Sequence, residues 1–521
     1  MIDKLSNQSR IIIATVLSFL FFASYDYFFI PKPEKQTTNI EQTQKEVSKT
    51  APTTPTANTN VPTPTTTQSD EPIVKVVADK YELHIDKLGR INKFFLKEDK
   101  FILENGERMQ LIDSSFSPYP LEVRFSDTNL NNEAFKTPYE ADNTSVNVTK
   151  DGVKVVLTQK LSSLNVTKTL TFFPSGNYSL DLTLDKPQTY FITPGLRPNQ
   201  LADGYTFHGA LVKEADDTHT PIEDGDAKGT ERFLNAKIAA GADRYYTTAL
   251  YNFDKGFDII VQAVNDGMPL LFIKGTEDLK IDGYIGPKEY KTLFQIDHRL
   301  TDIIEYGFFT FISKPLFLLL SYLHTVLGNW GWAIVALTII IRLVLFPLTY
   351  KGMVSMNKLK ELAPKIKELQ AKYKGDNQKL NAHMMELYKK HGANPMGGCL
   401  PILLQIPVFF AIYRVLQNAI ELKAAPWIFW IKDLAVMDPY FILPVAMGVT
   451  MFLHQRITPT NFTDPMQEKI MKYLPLIFTF FFVTFPAGLT LYWFVNNLFS
   501  IVQQYYVNSL FAKKKEEKVE K

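Results

Sequence analysis

Between Gly331 and Tyr350 the chain reads GWAIVALTIIIRLVLFPLTY, twenty residues whose only charge is Arg342. As a helix this segment is about 30 Å long, the thickness of a bilayer's hydrocarbon core. A guanidinium does not shed its proton, and near the bilayer centre it costs roughly 2.5–3.5 kcal/mol on insertion scales. No acid in the segment can pair with it. Thr338 lies one turn before Arg342 and Thr349 two turns after, so the three share one helical stripe. One reading is an arginine that snorkels to the helix end. Tyr350 is about 12 Å away, a long reach even for arginine. The other reading is a polar, water-filled cavity facing Arg342, and the spacing favours it.

The rest of the chain divides sharply in character. From Glu71 to Tyr306 it is polar and mixed, with 36 acids and 27 Lys or Arg, a balance of 27 − 36 = −9. From Phe308 onward apolar runs dominate. The whole-chain charge of +2 argues against a dedicated nucleic-acid binder. The single cysteine, Cys399, rules out an intramolecular disulfide and suits a small buried hydrophobe.

Residues 1–30 carry a basic start (Lys4, Arg10) and the apolar run IIIATVLSFLFFASYDYFFI, with no A-x-A cleavage site after it. This predicts a retained transmembrane signal anchor, with a cleaved signal peptide as the alternative. Residues 31–70 are rich in Thr and Pro (APTTPTANTNVPTPTTT) and predict a disordered linker. Over residues 71–306 the pattern has period two. VKVVAD, YELHID, INKFFL, LEVRFS, SVNVT, VKVVLT, NVTKTLTFF, YSLDLTL, FDIIVQAV and PLLFIK read as strands between Gly, Asn, Asp and Pro turns. Together they predict a large antiparallel β-sandwich domain. Its histidines, His84, His208, His219 and His298, are scattered, and no metal cluster, nucleophile elbow or phosphate loop is present.

Residues 307–329 hold an apolar stretch with a polar stripe at Lys314, Ser321 and Thr325, which predicts an amphipathic helix lying in the membrane interface. A spanning helix is the alternative. Residues 330–510 predict five transmembrane helices: Gly331–Tyr350, Cys399–Ile420, Phe441–His454, and two cut from Tyr473–Val507 by Phe485-Pro486-Ala487-Gly488. With the anchor the count is six. Residues 351–398 carry apolar positions at three- and four-residue spacing on either side of KGDNQ, a helical hairpin. Its methionines suit either adaptable contact with apolar segments or simple packing of the two helices.

Positive charge orients the chain. The 351–398 loop has ten lysines against four acids, and the tail from residue 512 has five against three. The loop from Gln417 to Tyr440 has two lysines against three acids. Hairpin, basic tail (511–521) and N-terminus are therefore expected in the cytoplasm and the acidic β-domain outside. The spans lack carboxylates beyond Asp26, which argues against an ion or proton transporter. Few polar residues stand out inside them: Gln405 in mid-span, Arg414 near an outer end where snorkelling is the ordinary explanation, and Asn496, Asn497, Gln503 and Gln504 in the last span.

Four blocks now stand together: GNWGWAIVALTIIIRLVLFPLTYKGMVSM, NPMGGCLPILLQIPVFFAIYRVL, DPYFILPVAMGVTMF and TDPMQEKIMKYLPLIFTFFFVTFPAGLTLYWFVNNLFSIVQQ. They closely resemble the Gram-negative branch of the YidC/Oxa/Alb family of membrane protein insertases, across about Tyr306 to Tyr506. The anchor, linker and outer domain resemble that family in layout only.

The resemblance implies a five-helix insertase core with a hydrophilic groove open to cytoplasm and lipid and closed outward. It implies a β-supersandwich as the outer domain, in a bacterial inner membrane. Arg342 matches the family's groove arginine, Thr338 and Gln405 match polar groove positions, and Phe409 matches an apolar substrate-contacting one. Trp493 stands where many relatives have tyrosine. The expected partners are nascent membrane proteins, the lipid bilayer and the Sec translocon; the lysines of hairpin and tail add weak support for ribosome contact, with a merely solvated tail as the alternative. No catalytic residue, cofactor or metal is expected. The competing readings are a small-solute transporter and a tethered carbohydrate-binding or mutarotase-like enzyme.

Overall fold

The computed structural model describes residues 61–62, 71–103, 105–112, 117–198, 206–264, 267–393, 400–458 and 465–519. The expected anchor, Cys399 and all of the linker except Val61 and Pro62 lie outside the described residues. The chain divides into two compact units at Glu305 and Tyr306.

The first unit is β-rich, with sheets of five, nine and five strands. All ten segments with alternating patterns contain strands, from Pro72–Val77 to Met268–Gly275. Pairing is antiparallel except where Lys75–Val77 runs parallel to Ser145–Asn147, a departure from the all-antiparallel expectation. The nine-stranded sheet also contains Gly209–Lys213, Ile238–Ala242 and Tyr246–Tyr251, which are buried at every position. Burial on both faces erases the alternation that marks a half-solvated strand.

Two features tie this unit together. A chain of buried charges starts at Asp86, which accepts from Arg90 Nε at 2.8 Å. Arg90 Nη1 donates to Glu122 at 2.9 Å, and Glu122 accepts from Arg124 Nε at 2.8 Å. Beside it Lys168 is fully buried and donates to the carbonyls of Gly89 and Leu121, at 2.9 and 2.8 Å. Burial pushes its ammonium down to about 7. The second feature is Val61. It packs on Phe191, Ile260, Leu270 and Phe272, which lie on one face of the second five-stranded sheet, while Arg124 Nη1 donates to Pro62 O at 3.2 Å. The linker composition concealed this contact, because one apolar residue among Thr and Pro carries no periodic signal.

The second unit is helical. Its helices are α1 (Thr310–Leu327), α2 (Trp330–Lys372), α3 (Asn377–His391), α4 (Leu400–Asn418), α5 (Ile442–Ile457), α6 (Pro465–Phe482) and α7 (Ala487–Val519). Asn329 caps α2 by accepting from Trp332 N at 3.1 Å. α2 then runs 43 residues through Pro347 and Pro364, so the apolar segment and the first arm of the hairpin are one continuous helix. Asp376 caps α3, and Gly392, at φ 58°, ends it. The two arms meet through Leu362, Ile366 and Tyr388, with Met384 packed against them, so this methionine zips the arms together. The break between α6 and α7 falls at residues 483–486, and Ala487 and Gly488 already open α7.

Gly307–Leu327 and Trp330–Lys372 are each long and apolar enough to cross a membrane, and Ile442–Ile457 is a shorter apolar helix. Ser313 of α1 donates to Ala411 O of α4 at 3.2 Å, while Phe308, Phe311, Tyr322 and Val326 face outward. α5 exposes Val445, Val449, Phe452 and Leu453, and α6 exposes Tyr473, Leu476, Ile477 and Phe480. Apolar stripes of this extent are expected where the solvent is lipid.

Candidate functional site

Arg342 lies a third of the way along α2, and it is 8% exposed. Its partners come from α7. Nε donates to Asn496 Oδ1 at 2.7 Å, and Nη2 donates to the Asn496 carbonyl at 3.2 Å and to Ser500 Oγ. Asn496 and Ser500 are four residues apart, which stacks them on one face of α7. Nη1 has no hydrogen-bond partner among the described residues. This arrangement answers the energetic problem set by the sequence: the charge is solvated by fixed dipoles, with no counter-ion among its hydrogen-bond partners.

Gln405 of α4 reaches the same acceptor, its Nε2 donating to Asn496 Oδ1 at 3.3 Å. Gln503 Nε2 donates to the backbone carbonyl of Arg342 at 3.3 Å. Three helices therefore converge on one polar knot. Thr338 and Thr349 are buried on the same side of α2, but their hydroxyls donate back to their own helix, at Ile334 O (2.7 Å) and Phe346 O (3.1 Å). They add polarity beside Arg342 without bonding to it. Farther along α7, Asn508 accepts from Asn357 of α2 at 2.9 Å and donates to Ile457 O of α5 at 3.0 Å.

The apolar candidates form a separate wall. Phe409 of α4 meets the Trp493 ring edge-to-face at 4.6 Å, and Phe478 and Phe482 of α6 close on the same ring at 5.9 and 5.1 Å. Trp493 Nε1 is buried with no acceptor among the described residues. Its role there is shape and surface. Trp493 is one turn from Asn496 and Asn497, so the wall and the polar knot adjoin on α7.

Sequence reasoning missed Ser500 and Asn357. A serine in an apolar helix is unremarkable alone; its four-residue spacing from Asn496 was the available signal. The β-rich unit has an open cleft of about 730 Å³ across the strands holding Thr169, Ser179 and Asp282. Two pairs of its charges meet one another, Lys280 with Asp181 at 3.1 Å and Arg299 with Asp297 at 2.7 Å. Among the described residues no group of three or more His, Cys, Asp or Glu could hold a metal ion.

Comparison with known proteins fits this geometry into a family. The description "60Kd inner membrane protein" matches residues 322–515, and "YidC periplasmic domain" matches residues 232–319. A membrane protein insertase YidC of Campylobacter jejuni is 55% identical over 99% of this chain and 98% of its own length. The chain belongs to the YidC family of membrane protein insertases. Two further relatives of that name, from Wolinella succinogenes and Helicobacter pylori, are 52% and 48% identical, each over 98% of this chain and 97–98% of their own. YidC membership makes this an inner-membrane protein with a periplasmic β-rich domain and a helical C-terminal part.

Proposed function

We propose that the protein inserts membrane proteins, and helps them fold, through a groove whose polar floor is Arg342, Gln405, Asn496 and Ser500 and whose apolar wall is Phe409, Trp493, Phe478 and Phe482. The observation that supports this is the Arg342 fork, buried at the junction of three helices with one nitrogen uncommitted. A nascent polar segment enters this groove from the cytoplasm instead of crossing bare hydrocarbon. Fewer of its backbone groups go unsatisfied, and the barrier falls. The apolar segment follows along the aromatic wall into lipid, and its burial drives release without hydrolysis. Thr338 adds polarity to the floor.

In this reading six helices cross the membrane, α1 lies in the interface, and both termini and the α2–α3 hairpin are cytoplasmic. The groove opens to cytoplasm and lipid and is shut outward. Clients are nascent membrane proteins, taken alone or from the Sec translocon, with weak ribosome contact through the lysines of hairpin and tail. Depletion of the protein should leave small two-span proteins uninserted and protease-sensitive. Normal insertion under depletion would refute the proposal.

A further inference from the structure

The connection from α4 to α5, residues 419–441, is buried far more than an outer loop needs to be. Ile420, Leu422, Ile431, Leu434 and Asp438 are each at most 2% exposed. Ala424, Phe429 and Phe441 hold φ of 53°, 50° and 56°, a left-handed backbone that non-glycine residues keep only where their surroundings over-determine it. Ala424 and Phe429 sit in turns closed by the loop's own bonds, Ala425 N to Leu422 O at 3.2 Å and Ile431 N to Ile428 O at 3.1 Å, and the loop as a whole is held against three helix starts.

At α2, Asn329 Nδ2 donates to the carbonyls of Pro426 and Trp427, at 3.0 and 3.3 Å. The Trp427 ring fills the notch left by Gly331: a Cβ there would lie 2.2 Å from Trp427 Cδ1. Trp427 Nε1 has no acceptor among the described residues, so the ring is seated by the notch and by its edge-to-face contact with Trp332 at 5.7 Å. At α7, Ala487 N donates to Val436 O at 2.7 Å and Gly488 N to Leu434 O at 2.9 Å, using up helix-start donors. At α5, Asp438 accepts from Trp430 Nε1, Tyr440 N and Leu443 N, at 2.9, 3.0 and 2.7 Å.

Gly331 precedes Arg342 by about 16 Å of helix, and Ala487 precedes Asn496 by about 14 Å. The loop therefore closes the same two helices that carry the polar knot, at their opposite ends. We propose that residues 419–441 form a latched outer seal, keyed by Trp427 in the Gly331 notch and pinned by Asp438, which keeps the polar floor shut from the outside. Trp427 and Asp438 are positioning residues: they touch no client and act through the loop. This inference rests on the groove reading above. A seal built from shape and backbone bonds opens as a unit, so loosening one contact exposes the interior without dismantling the helices.

The test uses the full chain in spheroplasts, with Cys399→Ser and a reporter at Thr490→Cys, a fully buried position one turn inside Ala487. A membrane-impermeant maleimide added outside should label this reporter slowly. Gly331→Leu, which evicts the ring, and Asp438→Asn, which leaves Leu443 N facing an amide donor, should each raise the rate about tenfold or more. Far-UV circular dichroism and gel filtration establish that the variants remain folded. Unchanged labelling in a folded variant overturns the latch and leaves the groove reading standing; Asp438→Asn decides alone if Gly331→Leu does not fold. Fast labelling in the chain carrying only the reporter means the groove is open outward, and the groove reading itself then fails.

Discussion

Asn496 allows the charge of Arg342 to be separated from its scaffolding. Its side-chain oxygen accepts from Arg342 Nε at 2.7 Å and Gln405 Nε2 at 3.3 Å, whereas its backbone carbonyl serves Nη2 and survives any substitution. Asn496→Leu therefore removes one short bond to a charged donor, about 1.5–3 kcal/mol, and one long neutral bond, about 0.5–1 kcal/mol. The helical unit should lose roughly 2–4 kcal/mol in total while the positive charge stays. Asn496→Asp does the opposite. A carboxylate at Nε cancels the charge, and because ion-pair gain and desolvation largely offset, stability should change by only about 1–2 kcal/mol. All five tryptophans lie at or beyond Trp330, so denaturant unfolding followed by indole fluorescence reports on the helical unit alone. Insertion of a small two-span client is read in parallel. The charge reading requires Asn496→Asp to insert poorly although stable, and Asn496→Leu to keep most activity although weakened. An active Asn496→Asp beside an inactive Asn496→Leu would show that Arg342 is a structural strut.

Three further outcomes follow from the geometry. Arg342→Lys should insert less than the parent and more than Arg342→Ala, since an ammonium keeps the charge but cannot span Asn496 and Ser500 together; equal activity of Arg342→Ala and parent across several clients would exclude the charge. Val61→Asp places a carboxylate on Phe191, Ile260 and Phe272 and should destabilise the β-rich unit by at least about 3 kcal/mol, read as earlier proteolytic cleavage between residues 71 and 306; an unchanged digestion pattern would mean the Val61 contact is dispensable. Lys168 has its ammonium held at about 7 against the usual 10.5, so between those values the unfolded chain binds a proton that the folded domain does not. The stability of that unit should therefore rise with pH across this window, and Lys168→Met should flatten the rise, measured by urea unfolding with near-ultraviolet circular dichroism at about pH 7 and 9.5.

The legible parts of this protein are those with strong local periodicity or a strong local violation. Strands such as Val153–Lys160 and Asn165–Phe172 alternated because one face was less buried than the other, and Arg342 stood out because a charge in a twenty-residue apolar run needs a reason. The solution to that charge was not legible. Asn496 and Ser500 lie more than 150 residues away, and their pairing depends on how α2 and α7 cross. Gly209–Lys213, Ile238–Ala242 and Tyr246–Tyr251 escaped for a related reason, since burial on both faces removes the period-two signal. Thr338 shows the reverse error of inference: a shared stripe predicts proximity, yet its hydroxyl satisfies its own helix. The loop from Gln417 to Tyr440 was read only through its charges, and its packing came from shape, with glycine at 331 leaving room for an indole.

The central claim is that a client passes between the polar knot and the aromatic wall. A photo-crosslinking residue at Phe409 and another at Val344 test it most directly. Val344 is 71% exposed and lies about 200° around α2 from Arg342, facing away from the knot. With ribosome-stalled two-span chains, Phe409 should give strong adducts that migrate along the client as it lengthens, and Val344 should give few. Equal adducts at both positions, or none at Phe409, would contradict the account.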